Sequence, residues 1–160
     1  MVDVLSVEQR RRNMSRIRSR DTKPELFIRR GLHALGLRYR LQDGKLPGRP
    51  DLVFSRFHAV IFVHGCFWHG HNCSMFKLPQ TRQEFWKAKI ASNRARDVRT
   101  TDALLEKGWR IVNVWECSLK GPGKLPDGEV LKRCFEFLMS KEVRLVDISG
   151  VLITNDEKHK

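Results

Sequence analysis

Five candidate metal ligands fall within ten residues: His64, Cys66, His69, His71 and Cys73, in the run His64-Gly65-Cys66-Phe67-Trp68-His69-Gly70-His71-Asn72-Cys73. Residues 64–80 therefore read as an irregular, ligand-rich segment set between more regular ones. Cys117 stands at the end of a strand-like run, where folding can return it to the same place. Three thiolates and one imidazole close a tetrahedral zinc shell, and a closed shell is structural because it leaves no position for water. The set assigned is Cys66, His71, Cys73 and Cys117, with reduced core cysteines beside surface histidines as the alternative. Cys134, inside the last predicted helix, belongs to the core. His64 and His69 are left over, and a histidine titrating near neutrality can take a proton from water or give one to a leaving group.

At 160 residues the chain has room for one domain with a real core, and two domains would be a tight fit. Its 31 Lys and Arg against 18 Asp and Glu leave a formal net charge of +13. Such a field attracts polyanions. Nucleic acid is the first candidate partner and an anionic membrane surface the second, which lacks the long basic amphipathic helix it needs. The start, MVDVLSVEQRRRNM, has no apolar signal core, and the apolar run Ala59 to Val63 is too short to span a bilayer. The expectation is a cytoplasmic protein that does not enter membranes, with its thiols reduced.

Residues 7–20 form a helix dominated by six arginines, with only Val7, Met14 and Ile17 apolar, so this arm orders against a partner. Asp21-Thr22 with Pro24 starts a second helix that Gly36 stops, with Phe27, Ile28, Leu32 and Leu35 as its core stripe. Residues 37–41 read as a strand, 43–50 as a loop, and 51–55 and 59–63 as two apolar strands. A long helix runs from Thr81 to Lys107, a buried strand over 109–116 and a last helix from Asp127 to Ser140. The tail from Val143 adds a strand. This order predicts an α/β fold with a mixed sheet flanked by helices.

Pro50-Asp51-Leu52-Val53-Phe54 puts an acid at the mouth of a hydrophobic strand, exposed at one end and held rigidly behind. That suits a ligand for a divalent ion positioned against a phosphodiester, and Mg²⁺ takes one or two carboxylates while keeping several waters. Glu25, in the first turn of its helix, supplies a second acid through water. A simple turn aspartate is the plain alternative. The arrangement resembles the PD-(D/E)xK nuclease core, in which the next strand carries an acid and a lysine. Here that strand reads Val60-Ile61-Phe62-Val63-His64-Gly65 and has neither. The backbone carbonyl of Val63 would have to be the second metal contact, and a histidine would have to replace the lysine.

Four runs together resemble the Vsr family, the very short patch repair endonucleases of bacteria: Leu46-Pro47-Gly48-Arg49-Pro50-Asp51, Val60 through His69, Thr81-Arg82-Gln83-Glu84-Phe85-Trp86 and Val114-Trp115-Glu116-Cys117. The likeness covers roughly residues 8–120 in order and carries little of the last 40. It implies a Mg²⁺-dependent nick in double-stranded DNA beside the T of a T:G mismatch left by deaminated 5-methylcytosine. It implies Asp51 as metal ligand with the Val63 carbonyl, His69 as general base, and supporting roles for His64, Glu25 and Asp97. It supports the zinc set above. The domain reading is a basic DNA-contacting arm over 1–20 and a single nuclease domain over 21–160. The protein is expected to act as a monomer at the nucleoid, with other mismatch-repair proteins as possible partners.

A T:G wobble pair opens easily, so an apolar wedge between base pairs costs less there than elsewhere. Phe67, Trp68 and Trp86 are candidate wedges on the active-site side, and Met14 a candidate from the minor groove; core packing is the plain alternative for each. At about 100° per residue, Trp86, Lys89, Asn93 and Asp97 share one arc of about 80° on the long helix. Lys and Asn can bond base edges, and the resemblance sets these positions against the mismatch. A zinc-stabilised DNA- or RNA-binding module without catalysis also accounts for the charge and the cysteines, but leaves Asp51, His64 and His69 idle. A plain restriction endonuclease is weakened by the missing acid-x-lysine pair.

Overall fold

The structure, a computed structural model, describes residues 21–152 together with Ser6 and Glu8. Apart from Glu8, the arginine-rich arm over residues 7–20, Met14 included, lies outside the described residues. Helix α1 spans Lys23–Ala34, and Thr22 caps it by accepting the Glu25 N–H at 3.4 Å. The Glu25 carboxylate reaches back to the Asp21 N–H at 3.0 Å, so both ends of the first turn are satisfied. Strands β1 (Arg40–Leu41), β2 (Leu52–Phe54) and β3 (Ala59–His64) follow. Then come helix α2 (Gln83–Glu106), β4 (Arg110–Trp115), helix α3 (Glu129–Met139) and β5 (Leu145–Ile148). The strand expected over 37–41 is only Arg40–Leu41.

Among the described residues the sheet runs β1-β2-β3-β4-β5. The first three strands pair antiparallel, and β4 and β5 join parallel. The mixed α/β fold read from the element order is the observed one, with the predicted tail strand as β5. Alternation along the strands divides the core in two. Leu52, Phe54, Ile61, Val112 and Val114 face α1 and α3, while Val53, Val60, Phe62 and Ile111 pack with Leu104 near the end of α2. The sheet is thus sandwiched between helices on both faces.

The α1 stripe is narrower than predicted. Ile28 and Leu32 are fully buried, but Phe27 is 49% and Leu35 52% exposed. Leu35 is the C-cap residue, where the chain turns off the core. The helix meets α3 through Gly31 instead: a Cβ there would sit 2.5 Å from a methyl of Leu131. The position one turn before Ile28 holds a carboxylate, Glu25, that is almost completely buried.

Arg110 opens β4 and is buried, and among the described residues no carboxylate forms an ion pair with it. Its guanidinium donates to the carbonyls of Phe137 (2.8 Å), Ser140 (2.7 Å), Leu138 (3.3 Å) and Phe57 (3.2 Å). Three of those carbonyls close the C-terminal end of α3, where the helix dipole favours a cation. Among the described residues no helix is long and apolar enough to cross a membrane.

Candidate functional site

The β2–β3 ladder explains what happens at Asp51. Leu52 pairs with Ile61, so continuing the register sets Pro50 opposite Val63. Proline has no N–H to give, so the Val63 carbonyl receives no ladder bond from it. The Val63 N–H, which points the same way, donates to Asp51 Oδ2 at 2.7 Å. The ladder therefore ends by clamping a carboxylate beside a backbone oxygen that the proline opposite cannot bond. Burial pushes the Asp51 carboxyl up to about 7, with the negative charge of Glu25 adding to it; the Val63 N–H and the nearby His69 pull the other way. Burial and a neighbouring carboxylate thus both disfavour the charged form of Asp51.

Glu25 accepts from two donors, the Asp21 N–H at 3.0 Å and Gln42 Nε2 at 3.5 Å, and forms an ion pair with the Arg29 guanidinium at 3.6 Å. Gln42 also gives its N–H to the Asp51 carbonyl at 3.2 Å, and it adopts a left-handed backbone, φ 43°. A non-glycine residue there carries strain that the surrounding bonds must hold.

Across a cleft of about 840 Å³ stand the histidines. His69 Nδ1 lies 2.5 Å from Asp97 Oδ2, a carboxylate projected from α2. With Nδ1–H donated to Asp97, the tautomer is set and Nε2 is left as the basic nitrogen. His64, at the end of β3, bonds through Nε2 to Asn113 Oδ1 on β4 at 2.9 Å. Burial drives the His64 pKa down to about 4, and the neighbouring His69 adds to the effect, so His64 stays neutral at physiological pH. Their ring centroids are 4.4 Å apart. Sequence reasoning missed Asn113, although a lone amide inside the apolar run Ile111-Val112-Asn113-Val114 was a readable signal.

The loop that carries His69 lies against α2 at Gly70. Gly70 has φ +58°, and a Cβ there would sit 2.6 Å from Ile90 Cγ2, so glycine is required twice over. Asn93 donates its side-chain amide to the Trp68 carbonyl at 2.8 Å. That donor is therefore engaged in holding the loop. Of the four residues of the predicted helical face, Lys89, Asn93 and Asp97 line the same cleft as Asp51, Val63 and His64, and Trp86 does not. Arg49 and Arg96 also line it, and sequence reasoning had singled out neither.

Phe67, Trp68 and Trp86 pack on one another, with Phe67–Trp86 centroids at 5.3 Å and Trp68–Trp86 at 5.9 Å. All three are half-buried and stand outside both core clusters. Phe85 extends the group, 46% exposed and with the Arg82 guanidinium over its ring at 4.2 Å. An aromatic shelf thus opens beside the cleft.

Cys66, His71, Cys73 and Cys117 come together as the sequence predicted, their ligand atoms all within 4.8 Å of one another. His71 Nδ1 is 3.6 Å from Cys117 Sγ, close to the ~3.5 Å between neighbouring ligands expected of a tetrahedral shell with bonds of about 2.0–2.3 Å. Burial pushes the Cys66 and Cys117 thiols up and His71 down. Backbone N–H groups of Cys117 and Gly150 already aim at the Cys66 and Cys117 sulfurs, at 3.3 and 3.2 Å. A soft cation that takes up two or more thiolates fits this donor set. Cys134 is buried in the core, apart from the cluster.

Comparison with known proteins adds an independent line. A family model described as DNA mismatch endonuclease Vsr matches residues 2–75. The chain is 44% identical over 152 residues to the DNA mismatch endonuclease Vsr of Escherichia coli, covering 94% of this chain and 97% of the relative. It is 50% identical over 125 residues to the type II nicking enzyme V.XorIIP of Xanthomonas oryzae, covering 78% of this chain and 92% of the relative. A type II nicking enzyme of Neisseria meningitidis, V.NmeAIP, is 40% identical over 120 residues, 75% of this chain and 86% of the relative. The likeness to the Escherichia coli protein runs past residue 120, beyond the stretch that carries the motifs.

Proposed function

The chain belongs to the Vsr family of DNA mismatch endonucleases, and from that premise we propose that it makes a Mg²⁺-dependent, single-strand nick in double-stranded DNA beside the T of a T:G mismatch. The observation that carries the reading is the clamp at the ladder's end, Asp51 Oδ2 on the Val63 N–H at 2.7 Å, facing the His69–Asp97 pair across one cleft. Asp51 and the Val63 carbonyl would hold Mg²⁺, with Glu25 reaching it through water. The ion supplies Lewis-acid stabilisation of charge developing on the phosphate.

The rest of the chemistry belongs to side chains. His69 takes the proton of the attacking water at Nε2, and Asp97 fixes the ring and stabilises the imidazolium that forms. His64, neutral and bonded to Asn113, closes the wall behind His69 and supports it. Phe67, Trp68 and Trp86 are the wedge at the opened pair. Lys89 faces the mismatch, while Asn93 steadies the Trp68 backbone. The basic arm over residues 1–20 neutralises phosphates, and Met14 is its wedge from the minor groove. Zn²⁺ on Cys66, His71, Cys73 and Cys117 holds the loop in shape without joining the reaction. The protein acts as a monomer on DNA in the bacterial cytoplasm, alongside other mismatch-repair proteins.

The test is incubation with Mg²⁺ of otherwise identical duplexes carrying T:G, T:A or C:G at one position. One strand is expected to be nicked, and only in the T:G duplex. Equal nicking of matched duplexes, or cleavage of both strands, overturns the reading.

Removing the base tests the assignment within the cleft. His69→Ala is expected to slow single-turnover nicking by about 10²–10⁴-fold, the usual worth of a positioned general base. Asp97→Asn keeps an acceptor for Nδ1–H but loses the charge, so its loss should be smaller. Both variants should bind the mismatched duplex as the native protein does. An Asp97→Asn loss equal to or larger than that of His69→Ala would show that Asp97 does more than support the ring.

A further inference from the structure

Trp115 is the last residue of β4, two positions before the cluster cysteine Cys117 and directly beside His64 in the parallel register. Its indole lies flat on His71, with centroids 4.1 Å apart and planes at 14°. Its other contacts face the cleft: His64 at 4.8 Å, tilted by 36°, and His69 at 5.9 Å, edge-on at 80°. The indole Nε1–H donates to Asp147 Oδ1 on β5 at 3.2 Å, which fixes the ring's rotation from the far side. One flat side chain therefore touches the Cys/His cluster and both cleft histidines, and it is tied to the sheet at each end.

We propose that Trp115 is a positioning residue for the reaction: its indole is the rigid spacer that transmits the placement of the Cys/His cluster to the rings of His69 and His64. His69 rides on a loop that the described residues place in no strand ladder; Asp97 bonds its Nδ1 and the His64 ring packs on one side of it at 4.4 Å. One hydrogen bond and one tilted ring contact still leave the imidazole free to tilt on its other side. The edge of Trp115 removes this freedom, and the stack on His71 keeps the indole from following the loop. The cluster then has a purpose beyond stabilising the fold, since its geometry sets where the base stands.

The inference rests on His69 being the base, so His69→Ala is run in the same assays. Trp115→Phe should keep one zinc per chain and bind the mismatched duplex about as the native protein does. Its single-turnover nicking rate should fall about tenfold, and that of Trp115→Ala about a hundredfold, the scale on which a displacement of about 1 Å acts. Asp147→Ala, which frees the indole, should lose a few-fold in rate with zinc intact, and Asp147→Asn, which keeps the acceptor, should restore it. A merely structural role would not produce that recovery. A native rate in Trp115→Phe and Trp115→Ala, or a loss that follows zinc content alone, overturns the proposal. Near-native nicking by His69→Ala would instead remove the base assignment, so the two failures are told apart.

Discussion

Asp51→Asn is expected to lose nicking by about a thousandfold or more while its metal-free form becomes more stable than the native protein at pH 8. The first effect follows from the several kcal/mol of charge stabilisation that a bound metal supplies, each ~1.36 kcal/mol being tenfold in rate. The amide keeps an oxygen for the Val63 N–H but gives up the charge that would hold Mg²⁺. The second effect follows from linkage. Burial raises the Asp51 carboxyl from its ordinary 3.8 to about 7, so the folded state binds its proton more tightly than the unfolded state does. Below about pH 4 both states are protonated and nothing is lost. Between about 4 and 7 stability falls as pH rises, and above that the buried charge costs up to ~4 kcal/mol, because holding a carboxyl's proton tenfold more tightly is worth ~1.36 kcal/mol. The asparagine variant escapes that cost. Thermal melts from pH 4 to 8 without Mg²⁺ should therefore converge at the acid end and diverge at the alkaline end. Added Mg²⁺ should raise the native melting temperature and leave the variant's unchanged, because only a state that binds the ion is stabilised by it. Native-like nicking by a folded Asp51→Asn protein would remove the mechanism, and parallel melting profiles would remove the account of Asp51's environment.

Loss of the Cys/His cluster's metal is expected to have the largest effect on stability. Zinc bound by a structural site is worth about 10–16 kcal/mol in isolated fingers, comparable to the whole ~5–15 kcal/mol of a typical domain. Cys66→Ser or Cys117→Ser should therefore abolish stoichiometric zinc, lower the melting temperature steeply and take nicking down with it. Cys134→Ser disturbs only the core under α3 and should keep about one zinc per chain, the expectation for a single closed site. Metal-free Cys66 and Cys117 have thiols raised by burial, so binding must expel their protons. Zinc affinity should accordingly weaken as pH falls, with proton release on binding measurable by calorimetry in buffers of different ionisation enthalpy. Elemental analysis of purified, fully active protein that finds no zinc would dispose of the site.

The sequence by itself determined what depends on near neighbours. Thr22 and Pro24 start α1, short unbroken apolar runs mark β2 and β3, and Gly108 follows the end of α2, because caps and apolar runs are set by near neighbours. Pro50-Asp51, the packed ligands from His64 to Cys73, and the shared arc of Trp86, Lys89, Asn93 and Asp97 were legible for the same reason, though of that arc only Lys89, Asn93 and Asp97 line the cleft. Tertiary structure decided the rest. Nothing local says that Glu25 is buried beside Asp51, that Phe27 and Leu35 are left exposed, or that Asn113 pairs with His64. Those outcomes depend on strand register and on where α3 crosses Gly31, and register is a property of two strands together. The Val63 carbonyl shows the division most plainly. That it receives no ladder bond from β2 is written in no residue of β3; it follows because the ladder sets a proline, 13 positions earlier, across from it.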